Sequence, residues 1–151
     1  PYLSGKRTPH NAPDATGAFH GLRRGHGLPD MVQSVMEGVG FAFADCCRAL
    51  EQCGSLPERV CVAGGGSQSE TWLQMIADIT GLTLDVPESG AQGAALGAAR
   101  LAMLGSSDAA QAEVIHPPKI RKSIAPNPAL EGAYAKSYAA YRQAWTGRQT
   151  R

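Results

Sequence analysis

Apolar positions in the first third of the chain recur with a helical period. Leu28, Val32, Val35, Val39, Phe43, Cys46 and Leu50 follow one another at intervals of four or three, which is one face of a helix with 3.6 residues per turn. The spacing predicts a long helix from Leu28, stopped by Gly54, a residue suited to the left-handed conformation past a helix end. Pro29 suits the first turn, and Asp30 lies where the helix dipole favours an acid. Gly38 and Gly40 interrupt this helix, each at about 1 kcal/mol relative to alanine. Close packing against a neighbouring strand is the expected compensation. Upstream, Pro1 to Gly17 reads as loop, Ala18 to Leu22 as a short strand and Arg23 to Gly27 as a turn.

Downstream the pattern alternates. Arg59 to Ala63 is a short β-branched run between Pro57 and Gly64, and reads as a buried strand. After Gly64, Gly65 and Gly66, the segment Glu70 to Thr80 reads as a helix with Trp72, Leu73, Ile76 and Ile79 on its apolar face and Gly81 as its stop. Leu82 to Val86 is a second strand closed by Pro87. Gln92 to Leu104 is a small-residue helix ending at Gly105, and Ser106 to Pro118 is linker-like and partly helical at best. Lys119 to Ile124 reads as an edge strand. Pro128 to Trp145 is the last helix, with Asn127 as its cap and Thr146 to Arg151 frayed. Strands alternating with helices predict an α/β sheet covered by helices. In the last helix Tyr134, Tyr138, Tyr141 and Trp145 form an aromatic stripe. It is expected to dock on the domain's own sheet, with a homodimer contact as the alternative.

Composition narrows the function classes. At 151 residues and 43% hydrophobic content the chain has the size and core of one domain, residues 1–151. A net charge of +1 argues against a nucleic-acid partner held by phosphate neutralisation. No apolar run reaches a membrane span, and no basic-then-apolar signal opens the chain. A cytoplasmic location without nucleic-acid or membrane partners is therefore expected. Cys46, Cys47, Cys53 and Cys61 lack metal-ligand spacing and read as buried or half-buried free thiols; His10, His20, His26 and His116 share no ligand spacing either, so no metal site is expected. The first residue is Pro1 rather than Met, which reads as a piece of a longer chain.

Val60 to Asp78 is the most informative segment: strand, three glycines, helix. Glycine lets a ligand lie against bare backbone, and the helix start offers unpaired N–H groups. Ser67, Gln68, Ser69 and Glu70 add short polar arms. Two readings stand for it locally, a tight turn with no ligand and a nucleotide cradle. No lysine follows in the spacing of a Walker A loop. Ser69 replaces the third glycine of a dinucleotide fingerprint, and Asp85 falls within the next strand, so a Rossmann reading is weak.

Five blocks occur in order: PYLSGKRTPH from Pro1, GAFHGL from Gly17, VMEGVGFAFAD from Val35, AGGGSQSETWLQMIADITG from Ala63 and GAQGAALGAARLA from Gly90. This series resembles the C-terminal domain of the FGGY carbohydrate kinases. SGKRTPH and the closing PNPALEGAYAKSYAAYRQAW look most like the xylulose kinases within that family. The resemblance implies a ribonuclease H-like, actin/hexokinase-type ATPase fold, of which this chain is the C-terminal, ATP-binding half, with the N-terminal substrate domain absent. It implies phosphorylation of a pentulose, D-xylulose first, using ATP and Mg²⁺, with ATP and ADP as partners and the sugar bound through the missing domain. Ribulose, gluconate or glycerol kinases, and a non-catalytic actin-like nucleotide switch, are the alternatives. Carried over by motif, Gly64, Gly65 and Gly66 cradle the nucleotide, and Ser69 and Glu70 lie near the adenine. Gly93 to Gly97 resembles the helix at the interdomain hinge, for which close packing is an equal reading. The family's catalytic Asp belongs to the N-terminal domain. Asp14, Asp30, Asp45, Asp78, Asp85 and Asp108 match no such motif, so no catalytic residue is expected here, and the fragment alone is expected to be inactive. Thr16 departs from the family, where Arg or Lys often precedes this glycine. His10 follows the pattern and is expected to serve loop hydrogen bonding.

Overall fold

The computed structural model of the chain describes residues 1–90, 93–107 and 110–149. Helix α1 spans Leu28–Gln52, strand β1 Arg59–Cys61, helix α2 Glu70–Thr80 and strand β2 Thr83–Pro87. They are followed by helix α3 Gly93–Ser106, the short helix α4 Gln111–Val114, strand β3 Ile120–Ile124 and helix α5 Glu131–Gln149. Tight 3₁₀ turns precede α2, at Gly65–Gln68, and α5, at Pro128–Leu130. The sheet order is β1-β2-β3, with β1 parallel and β3 antiparallel to the central β2.

The elements start and stop where their local chemistry dictates. In α1 the Asp30 carboxylate accepts from the Gly27 N–H at 2.8 Å, and Gly54 takes φ +68° just past the end. In α2 the Ser69 hydroxyl accepts from the Trp72 N–H, while Gly81 at φ +73° terminates the helix. Asn127 caps the 3₁₀ turn rather than an α-helix, its side chain accepting from the Ala129 N–H. Helix α5 then runs to Gln149, through part of the tail expected to fray; Thr150 and Arg151 lie outside the described residues. Gln92, the expected start of α3, lies outside them too, and α3 continues through Gly105 to Ser106. Residues 18–22 form no strand: Phe19 and Leu22 stay exposed, and among the described residues no strand pairs with them.

The core lies between α2 and the sheet. Leu73, Ile76 and Ala77 from α2 meet Leu82, Leu84, Val86 and Ile124 from the sheet and the turn before it. Strand β1 is not the buried strand expected; it is an edge strand with only Val60 turned partly inward. Cys53 and Cys61 are exposed rather than buried or half-buried, while Cys46 and Cys47 are half-buried.

Two expectations for the helices change. The close approach at Gly40 is to a helix, not a strand: a Cβ there would lie 2.6 Å from Cδ1 of Ile79 on α2. Gly38 instead faces Pro1 at ordinary contact distance. Nor does the aromatic stripe of α5 dock on the sheet. Tyr138 and Tyr141 pack on Phe41 of α1 at ring distances of 5.9 and 5.4 Å, and Trp145 meets Tyr2 and His10 of the opening loop.

Asp45 is the hub that ties loop, α1 and α5 together. It is buried, and its carboxylate accepts from Lys6 Nζ at 2.9 Å and from the Tyr138 hydroxyl at 2.8 Å. His10 Nε2 lies 3.4 Å away, and the imidazole stacks on Trp145, which gives His10 the partners its sequence context did not name. Burial alone would raise the Asp45 pKa; the bonds from Lys6 and Tyr138 outweigh it and hold the carboxyl below its ordinary value. Burial and the Lys6 charge lower the His10 pKa, against the opposing pull of Asp45.

Both shifts have the same sign for stability. A group with a depressed native pKa stabilises the fold fully above its ordinary value and loses that contribution as the pH falls through the native one. Acidification is therefore expected to weaken the fold in two stages, the first below the ordinary histidine value of 6.5 and the second below the ordinary aspartate value of 3.8. Urea midpoints measured from pH 8 to pH 3 check this. His10→Gln should flatten the upper stage and keep the lower.

Candidate functional site

The turn between β1 and α2 is built around one glycine that has no substitute. Gly64 sits at φ 96° and ψ 177°, a region reached almost only by glycine. Its N–H donates to the Gly90 carbonyl at 2.8 Å, joining this turn to the one after β2. The buried Ser67 folds back, its hydroxyl donating to the Gly64 carbonyl at 2.7 Å and closing the 3₁₀ turn.

The three glycines then divide. Cβ atoms at Gly64 and Gly65 would meet nothing within 4 Å, so a ligand has room against bare backbone there. At Gly66 a Cβ would fall 2.7 Å from the Trp72 ring, so this glycine makes room for an indole of the protein itself. The same indole donates from Nε1 to the Met36 carbonyl at 3.3 Å and fastens the turn to α1. A rigid ring fastened by that bond has little room to yield to a methyl group. Gly66→Ala is accordingly expected to destabilise the domain by about 1–3 kcal/mol, read as a shifted urea midpoint.

Ser69 and Glu70 stand beside the glycines but carry existing partners. The Ser69 hydroxyl is the cap of α2, accepting from the Trp72 N–H at 3.3 Å. Glu70 pairs with Lys122 of β3 at 2.7 Å on an exposed surface. The hydrogen bond and charge of that lysine hold its carboxyl below the ordinary glutamate range.

A cavity of about 320 Å³ opens on the flank of the turn, lined by Ser67, Gln68, Pro87, Glu88, Gly90 and Arg121. Gly90 and Arg121 were not singled out from the sequence as site residues, and Arg121 is the instructive case. Val86 pairs with Lys122 and Pro87 with Ile120, so Arg121 is the extra residue of a β-bulge. A bulge re-aims one side chain out of the ladder, and here that side chain lines the cavity. Nothing local to Arg121 announces this; it depends on pairing with a strand more than thirty residues away.

The start of α3 reaches the same neighbourhood. A Cβ at Gly93 would lie 2.7 Å from that of Ala63, so the helix begins in tight contact with the residue before the glycines. Beyond that start no described residue of α3 is buried, and Leu101 and Met103 are exposed. No described helix is long and apolar enough to cross a membrane.

Comparison with known proteins places this geometry. Residues 1–106 match the C-terminal domain of the FGGY family of carbohydrate kinases. The chain is 44% identical over 145 residues to a xylulose kinase of Escherichia coli, covering 94% of this chain and 28% of the relative. It is 49% identical over 110 residues to a xylulose kinase of Klebsiella pneumoniae, covering 73% of this chain and 23% of the relative. The crystal structure of a xyloylose (xylulose) kinase from Brucella ovis superposes with a TM-score of 0.86 at 36% identity, over 99% of this chain and 31% of that one. The chain thus spans less than a third of the length of these relatives. Matched along most of its length in sequence and nearly all of it in fold, the chain belongs to the FGGY carbohydrate kinases, as part of their C-terminal, actin-like ATPase domain.

Proposed function

We propose that this chain is the ATP-binding part of a pentulose kinase, with D-xylulose as the acceptor, and that Gly64 and Gly65 are the backbone against which the nucleotide lies. One observation carries the second part: a glycine-only conformation at Gly64 next to open space at both glycines. The names of the relatives support the first part. In such a transfer a sugar hydroxyl oxygen forms a bond to the γ-phosphorus of ATP as the bond to the bridging oxygen breaks, and ADP leaves. This chain's share is positioning. The start of α2 adds N–H groups beside the glycines, and Ser69 and Glu70 flank them as the candidate adenine side.

The catalytic base is assigned to polypeptide outside this chain, because the described aspartates have other work or no place at the turn. Asp30 accepts from the Gly27 N–H, Asp45 holds Lys6 and Tyr138, and Asp78 accepts from Gln74 and the Asn127 N–H. Asp85 takes both arms of Arg59, and Asp14 is exposed in the opening loop. Mg²⁺ accompanies ATP in this reading. Among the described residues no three His, Cys, Asp or Glu converge as a metal site, so no ligand to it is assigned here. The exposed α3 supplies the hinge-side helix, its Gly and Ala surface suited to sliding during closure.

Calorimetric titration tests the nucleotide reading: the chain should bind ADP weakly but saturably and not bind NADH. A longer protein that contains it should consume ATP on D-xylulose in preference to ribulose, gluconate or glycerol. NADH binding would refute the ATP assignment, and turnover on another sugar would move the substrate within the family.

A further inference from the structure

The last turn of α2 holds a carboxylate with no counter-charge. Asp78 lies at the negative end of the helix dipole, and no basic residue shares that turn. It is 8% exposed. Its Oδ1 accepts from Gln74 Nε2 at 2.8 Å and from the Asn127 N–H at 2.7 Å. Among the described residues no donor reaches its Oδ2, and no cationic side chain lies within ion-pair distance. A buried carboxylate is costly until a counter-charge meets it. No fully buried side-chain oxygen among the described residues lacks a partner, so Oδ2 keeps an opening.

That opening is a cavity of about 410 Å³ between the end of α2 and the start of α5. Its lining includes a second acid, the exposed Glu131, and neither lysine nor arginine. Glu131 has no ion-pair partner among the described residues. Burial first, then the charges of Glu37 and Asp78, raise the pKa of Tyr134 in the cavity wall, so the field there is negative. The Arg142 guanidinium lies 6.0 Å from the Tyr138 ring but does not line the cavity. Tyr134 makes no ring contact among the described residues, which leaves its face open to a cation. Ile79 and Pro128 add apolar wall.

Size and chemistry select the ligand class. The volume falls in the range of small-molecule sites. A bare metal ion would leave most of it empty, and no three His, Cys, Asp or Glu converge among the described residues. An ammonium group brings three donors and no acceptor, which suits carboxylates that can only accept.

We infer that this cavity is a binding site for an aliphatic cation bearing a primary ammonium group, held by Asp78 Oδ2 and Glu131 with its carbon chain against Tyr134. The site is separate from the glycine turn: Asp78 lies roughly 12 Å along α2 from Glu70 at its start. The inference does not rest on the nucleotide reading, and loss of ADP binding leaves it untouched.

Calorimetric titration of the chain with n-butylamine at pH 7 tests it, beside 1-butanol as the uncharged match in shape and sodium chloride as the match in ionic strength. The amine should bind saturably at millimolar concentrations, and the two controls should not. Asp78→Asn keeps an acceptor for Gln74 and the Asn127 N–H, and should weaken binding at least tenfold. Glu131→Gln, on the exposed rim, should weaken it about threefold, and carries the test if Asp78→Asn does not fold. Asp14→Asn, which removes the same charge from the opening loop, should change nothing. The Asn127 amide is bonded to the other oxygen of the same carboxylate, so its nuclear magnetic resonance signal should move with the calorimetric midpoint. The proposal is overturned if either control reproduces the amine's heat, if the Asp78 and Glu131 variants bind like the parent, if Asp14→Asn weakens binding as much as they do, or if the Asn127 signal stays still.

Discussion

Asp45→Ala is expected to lower the stability of the domain by about 3–5 kcal/mol, the usual consequence of removing one partner of a buried ion pair. The side chains of Lys6 and Asp45 are 5 and 3% exposed and 2.9 Å apart. Without the carboxylate, the Lys6 ammonium stays in a site closed by Tyr2, and the Tyr138 hydroxyl loses its acceptor. For a domain of this size the loss amounts to a fall in melting temperature on the order of 10 °C. Lys6→Met is expected to be costly for the mirror reason. The double variant should be less destabilised than the sum of the two, because neither charge is then left buried alone. A cycle of urea denaturations on the four proteins checks this. Simple additivity would mean that the pair is solvated and that the loop is held by its aromatic contacts alone.

That hub shows where sequence reasoning stopped. Lys6, His10, Asp45 and Tyr138 are scattered over 130 residues, and each looks ordinary in its own segment. Helix α2 was legible because its signals are local: a four-residue apolar face and a glycine that accepts a positive φ. The glycine turn was legible as a turn, but the distinct task of Gly66 depends on Trp72 curling back over it. The apolar period of α1 correctly marked a helix, although most of that stripe stays exposed and only Val39 and Cys46 in it are half-buried. Periodicity alone reports that a helix has an apolar face, not which neighbour, if any, lies against it. The α5 stripe erred differently: the period was right, but one face of an amphipathic helix does not say whether sheet or helix lies beneath it.

Gly65→Val should abolish most nucleotide binding while leaving the fold alone. Its neighbours cannot give so clean a result. Gly64 occupies a backbone region that side chains avoid, so any residue there adds strain of about 1–3 kcal/mol, and a binding defect would be entangled with instability. Gly66 is confounded by the Trp72 ring. Gly65 has neither problem: its backbone is not left-handed, and a Cβ would enter open space. Only a ligand would notice the added methyl groups. ADP affinity should fall at least tenfold, about 1.4 kcal/mol, with Gly65→Ala intermediate and both melting temperatures near that of the parent. Titration of the three proteins with ADP, beside thermal melts, reads both quantities. Equal ADP affinity in all three would remove the nucleotide from this face of the turn, and the cavity lined by Gln68 and Arg121 would become the place to look for it.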